Sequence, residues 1–139
     1  MYLGRRHPLK GVEYLERAVE ELNGEAESFP LQKKGEPSLS GSGRDSASPL
    51  LQLRVVSDHF GEELERDWDW CDVLCLPTLS ENFGLVVAEA LERGKRVIVT
   101  DGAPVWEDQP GVVYLKGYRD GTDEERVELL KRGLNEIVA

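Results

Sequence analysis

Glu81 and Glu89 are two carboxylates with seven residues between them, on either side of Gly84. An ionised carboxyl oxygen is a strong hydrogen-bond acceptor, so acids spaced along one segment suit recognition of sugar or ribose hydroxyls. Gly84 has no side chain where a helix is expected to begin, so the backbone N–H groups of Asn82, Phe83, Gly84 and Leu85 can approach an anion closely. The same spacing also fits an acid favoured by the helix dipole, Glu81, followed by a solvated helix acid, Glu89. Spacing alone leaves both readings open.

Two apolar runs flank this segment, Val73 to Leu76 and Val97 to Val99. Both are short and apolar, and the second is entirely β-branched, the pattern of strands buried on both faces of a parallel sheet. The residues between them then form a crossover helix. Ser80, Glu81 and Asn82 are expected at its entry, with Val86, Ala90 and Leu91 facing the sheet. The loop of such a unit opens at the carboxyl edge of the sheet, where open α/β folds bind their ligands.

Residues 71–91, followed by Gly94, Val97 and Ile98, read as an Asp, an apolar strand, Pro77-Thr78, then Glu81, Phe83-Gly84 and a second acid at Glu89. This ungapped run resembles the E-x7-E signature of retaining GT-B glycosyltransferases of group 1. The resemblance implies that Glu81 meets the donor sugar as the catalytic-site acid. It also implies that the amides around Asn82, Phe83, Gly84 and Leu85 meet the sugar and diphosphate, and that Glu89 meets the ribose hydroxyls. Near the N-terminus, a Gly4-Arg5 pair and a Lys10-Gly11 pair separate a strand stub at Tyr2-Leu3 from a helix. They resemble the family's diphosphate grip, which here would be Arg5 and Lys10. The chemistry agrees, because a departing nucleoside diphosphate develops negative charge that a guanidinium fork and an ammonium stabilise without a metal. No metal and no cofactor are expected. Read without the resemblance, the same residues are a solvated basic loop.

At 139 residues and 40% hydrophobic, the chain is expected to form one domain with one core. A net charge of −10 argues against a nucleic-acid backbone or an anionic membrane surface as partner. No apolar run approaches the roughly 20 residues that span a bilayer, and no secretory signal core is recognisable, so a cytoplasmic location is expected. Cys71 and Cys75 lie four apart and far from His7 and His59, which suits buried free thiols better than a disulfide or a metal site.

The remaining elements follow from periodicity. A helix is expected to run through about Leu22, with Val12, Leu15, Ala18, Val19 and Leu22 on one face. Beyond it come a strand over Leu51 to Val56, a short acidic helix over Gly61 to Trp70, a strand over Gly111 to Leu115 and a helix over Asp123 to Val138. Residues 24 to 49 are rich in Gly, Pro, Ser and charge and read as a polar flexible insertion, with Gly41 to Gly43 a loop of no special role. This order implies a Rossmann-like three-layer α/β sandwich with a mainly parallel sheet. The resemblance makes that sandwich the donor-binding half of a GT-B fold, with nucleotide sugar as substrate and an acceptor-binding N-terminal domain or separate subunit as partner. A non-catalytic module holding a nucleotide sugar or a partner protein is the alternative.

Overall fold

Four contiguous apolar residues, Val73–Leu76, form β3 at the centre of the sheet, and three of the four are buried. The computed structural model describes residues 1–4, 8–27, 51–81 and 84–138. The other strands are β1 (Tyr2–Leu3), β2 (Val55–Val56), β4 (Arg96–Thr100) and β5 (Val112–Leu115). The helices are α1 (Val12–Glu27), α2 (Gly61–Trp70), α3 (Leu85–Glu92) and α4 (Asp123–Val138).

All the ladders are parallel: β1 with β2, β3 with β4, and β4 with β5. Two bonds join the β1–β2 pair to the other three strands, from the Met1 nitrogen to the Val73 carbonyl (2.5 Å) and from the Cys75 N–H to the Met1 carbonyl (2.9 Å). One residue bonding to positions two apart on its neighbour is the pattern of a parallel ladder. The two-stranded sheet β2-β1 thus lies against the β3 edge of the three-stranded sheet β3-β4-β5, giving the spatial order β2-β1-β3-β4-β5. The chain steps one way from β1 and the opposite way from β3, which makes the gap between the carboxyl ends of these two strands the topological switch point.

β4 is buried at Val97, Ile98, Val99 and Thr100 in succession, so both faces of the sheet are covered. α1 packs against α4, through Val12, Leu15, Ala18 and Val19 on one helix and Val127, Leu130, Leu134 and Ile137 on the other, all within one core. These spacings of three and four residues are the helical stripes legible in the sequence. α2 and α3 are linked by Arg93, which pairs with Glu65 at 2.8 Å and stacks on the buried Trp68 ring. Trp70 carries the Arg54 guanidinium on its face, 4.3 Å from the ring centroid. Cys71 and Cys75 are free and buried, and burial pushes the Cys75 thiol up to about 12. Among the described residues, no helix is long and apolar enough to cross a membrane.

Three local expectations need correction. α1 continues through Gly24 to Glu27 rather than ending near Leu22. Its Asn23 side chain exchanges two hydrogen bonds with the backbone of Leu51 (2.8 and 3.0 Å), which takes the start of the expected Leu51–Val56 strand out of the ladder and leaves only Val55–Val56. In α3, Val87 and Ala90 are the buried positions, and Val86 and Leu91 pack at the margin of the core. Residues 28–50, which hold most of the expected insertion, lie outside the described residues.

The buried carboxylate of Asp67, on α2, accepts hydrogen bonds from Arg54 (2.9 Å) and His59 (2.6 Å). The bond to Asp67 holds the His59 imidazole above its usual value against an opposing desolvation. Burial pushes the Asp67 carboxyl up, but the bonds from His59 and Arg54 outweigh it and the net shift is downward. A raised His contributes stability that is complete below its unfolded value of 6.5 and is lost as pH rises through the folded value. A depressed Asp contributes stability that is complete above 3.8 and is lost as pH falls through its folded value. The melting temperature is therefore expected to be higher near about pH 6 than near about pH 8.5, from the usual imidazole range. Asp67→Asn should remove most of that difference in a thermal melt. An equal slope in the variant and the parent would rule this pair out as its source.

Candidate functional site

Four loops meet at the carboxyl edge of the sheet, and their backbones are bonded to one another. After β1, a 3-10 turn over Pro8–Lys10 leads into Gly11. After β3, the segment Pro77 to Glu81 leads toward α3. The two are joined by the Leu79 N–H donating to the Leu9 carbonyl (2.7 Å), and the Thr78 hydroxyl lies within bonding distance of both the Leu9 and Ser80 carbonyls. From the end of β4, the Thr100 hydroxyl donates to the Thr78 carbonyl (2.5 Å), and the Gly102 carbonyl accepts the N–H of Glu81 (2.9 Å). The loop after β5 is held by Asp101, whose carboxylate accepts the N–H groups of Gly117 and Arg119. Tyr118, fully buried, donates its hydroxyl proton to the Pro77 carbonyl (2.8 Å).

This backbone frame brings Lys10 and Glu81 together across the switch point. Lys10 Nζ lies 2.5 Å from Glu81 Oε1, and each side chain is about one-quarter exposed. Two residues 71 positions apart thus form one charge-assisted pair, with the cation supplied after β1 and the acid after β3. Lys10 ends the short 3-10 turn and Glu81 lies in a loop. Their placement depends on the loop bonds just described.

Gly84 is the N-cap of α3, with φ +62 in the left-handed region, and it is buried. The helix entry expected at Ser80, Glu81 and Asn82 lies later: the N-cap is Gly84 and the helix starts at Leu85. Gly84 enters the helix from the left-handed region, and the Glu81 N–H upstream is engaged by the Gly102 carbonyl. A side chain at position 84 would also press on Leu76 and on the Trp106 indole nitrogen, each 3.2 Å from a built Cβ. The first N–H groups of a helix have no intrahelical partner, and those of α3 begin at exposed Leu85. Glu89 is exposed on the same helix. Arg5, Asn82 and Phe83 lie outside the described residues.

Sequence reasoning left unassigned the residues that build the frame: Thr78, Thr100, Gly102 and Tyr118. Their one signal is a polar residue at the end of an apolar strand. Thr78 and Thr100 are fully buried there, and each hydroxyl lies within bonding distance of a carbonyl of a neighbouring loop, Leu9 for Thr78 and Thr78 for Thr100. An open groove of about 760 Å³ lies elsewhere, along α4, and is lined in part by Asp120, Glu124, Glu125 and Glu128 together with Lys131 and Arg132. It contains neither Lys10 nor Glu81.

Residues 1–124 match the family model for glycosyl transferases group 1. The chain belongs to this family. Relatives named D-inositol 3-phosphate glycosyltransferase include one from Corynebacterium jeikeium, 30% identical over 122 residues, covering 77% of this chain and 28% of that protein. The protein of that name from Mycobacteroides abscessus is 34% identical over 116 residues, covering 75% of this chain and 25% of its own length. The chain thus spans about a quarter of the length of the curated relatives it matches. Within this group 1 chain, the Lys10–Glu81 pair falls inside the matched region, as do Gly84 and Glu89.

Proposed function

We propose that this chain is the donor-binding part of a retaining glycosyltransferase that moves a sugar from a nucleotide-diphospho-sugar to an acceptor hydroxyl. The observation that carries the reading is the pairing of Lys10 with Glu81 over the switch point of a parallel sheet. Lys10, with Arg5, binds the diphosphate and stabilises the charge that develops as it leaves. Those cations and the N-terminus of α3 supply the positive potential, so the site works without a divalent metal. Glu81 accepts hydrogen bonds from the donor sugar, and Glu89, farther along α3, from the ribose. The amides of Asn82, Phe83, Gly84 and Leu85 complete the contacts to sugar and phosphate. The acceptor is held by a further domain or subunit, in keeping with the greater length of the relatives.

Calorimetric titration of the chain with UDP, GDP, ADP and their sugars tests the reading. One nucleoside diphosphate should bind, and its affinity should be unchanged by EDTA. Loss of binding on chelation would overturn the metal-free site, and no binding across the panel would overturn the donor-site reading itself. Glu89→Gln should weaken the nucleoside diphosphate and its sugar conjugate alike, by about tenfold for a lost hydrogen bond to a charged group. A loss confined to the sugar conjugate would remove Glu89 from the ribose.

A further inference from the structure

Resting on the donor-site reading, we infer that Glu81 also sets the preference of the site for the nucleotide sugar over the bare nucleoside diphosphate, by competing with phosphate for Lys10. The Lys10 ammonium is already engaged at 2.5 Å by the Glu81 carboxylate. The pair is not two loose surface side chains. The Lys10 turn is bonded to the Glu81 loop through Leu9 and Leu79, and the Glu81 backbone is bonded to Gly102. About three-quarters of each side chain is covered.

A phosphate arriving at Lys10 therefore meets a cation whose charge is largely offset by a neighbouring carboxylate. Either the ammonium turns from Glu81 to the phosphate, or it bridges the two. In both cases a largely covered carboxylate is left beside an anion, and like charges brought together in a covered site repel. A bare nucleoside diphosphate offers Glu81 nothing in return, since its phosphate oxygens are acceptors only. A sugar on the same diphosphate brings hydroxyl donors, which replace the Lys10 hydrogen bond on Glu81 with charge-assisted ones. The ion pair thus penalises the diphosphate alone and spares the sugar conjugate. This lowers occupancy by the leaving product while the substrate is retained.

The test is a double-mutant cycle on the chain with the nucleoside diphosphate that binds and its sugar conjugate, using parent, Lys10→Ala, Glu81→Gln and the double variant, each checked by thermal melting. Glu81→Gln is expected to tighten the bare diphosphate by about two- to fivefold, the size of a partly exposed ion pair. The same change should weaken the sugar conjugate. In the Lys10→Ala background no ammonium is left to compete for, and Glu81→Gln should still relieve the direct repulsion between carboxylate and phosphate, so its effect on the diphosphate should differ in size from that in the parent by the competition term. Glu81→Asp, which keeps the charge but withdraws it from Lys10, should fall between parent and Glu81→Gln and serves if the amide variant does not fold. If Lys10→Ala weakens the diphosphate but Glu81→Gln and Glu81→Asp leave it unchanged or weaker, the competition is overturned and the donor site stands. If Lys10→Ala affects neither ligand, the donor-site reading fails and this inference fails with it.

Discussion

Gly11→Ala is expected to destabilise the fold by about 3 kcal/mol or more, combining the cost of a strained backbone with that of overpacking. Gly11 has φ +69, where an L side chain is strained, and a Cβ built on it would overlap the Pro77 carbonyl oxygen. That oxygen cannot withdraw, because it accepts the hydroxyl of fully buried Tyr118 and because Thr78, next in the chain, is tied to both Leu9 and Thr100. The added methyl must therefore push the β1 turn away from the β3 loop, or break the Tyr118 bond and leave its hydroxyl without its partner in the core. The same displacement pulls Lys10 from Glu81. A drop in melting temperature of roughly 10 °C is expected for a domain of this size, together with loss of nucleotide binding at temperatures where the variant is still folded. A melting temperature within about 3 °C of the parent, less than the shift expected for 1 kcal/mol, would mean that the two loops are not locked at Gly11.

This lock also explains which parts of the molecule could be read from sequence. β3 and α4 were legible to the residue, because a short contiguous apolar run and a stripe at Val127, Leu130, Leu134 and Ile137 are local patterns that long-range contacts only reinforce. The start of α3 was not. Ser80 and Glu81 carry good capping chemistry, but Thr100 and Gly102, about twenty residues downstream, bind Thr78 and Glu81, and the helix is capped only at Gly84. The shortness of β2 has a similar origin. Its alternating pattern was real, yet Asn23 on α1 takes both backbone groups of Leu51, and no period in residues 51–56 could disclose a partner 28 positions earlier. In the candidate site, acids and a glycine at a strand end were recognisable as residue types. That Glu81 faces Lys10 was not, since the pairing depends on β1 lying beside β3, a consequence of the strand order rather than of either loop.

Lys10→Ala is expected to weaken binding of the nucleoside diphosphate by about 10- to 100-fold, the cost of a lost hydrogen bond to a charged group. The effect should exceed that of Glu89→Gln, because Lys10 stands at the switch point and the diphosphate concentrates its charge there, whereas Glu89 is exposed on the flank of α3. Little stability should be lost, since a partly exposed ion pair contributes about 1 kcal/mol at most and the backbone bonds around it do not involve the Lys10 side chain. Lys10→Arg separates charge from shape. A guanidinium keeps the positive charge but is longer and planar, so partial recovery would identify Lys10 as a point charge rather than a geometric clamp. Raising ionic strength should weaken the parent more than Lys10→Ala, because only the parent still has this cation to be screened. Calorimetry across a salt series measures both quantities. Equal salt slopes in parent and variant, with equal affinities, would place the diphosphate elsewhere and leave the Lys10–Glu81 pair a structural clasp between two loops.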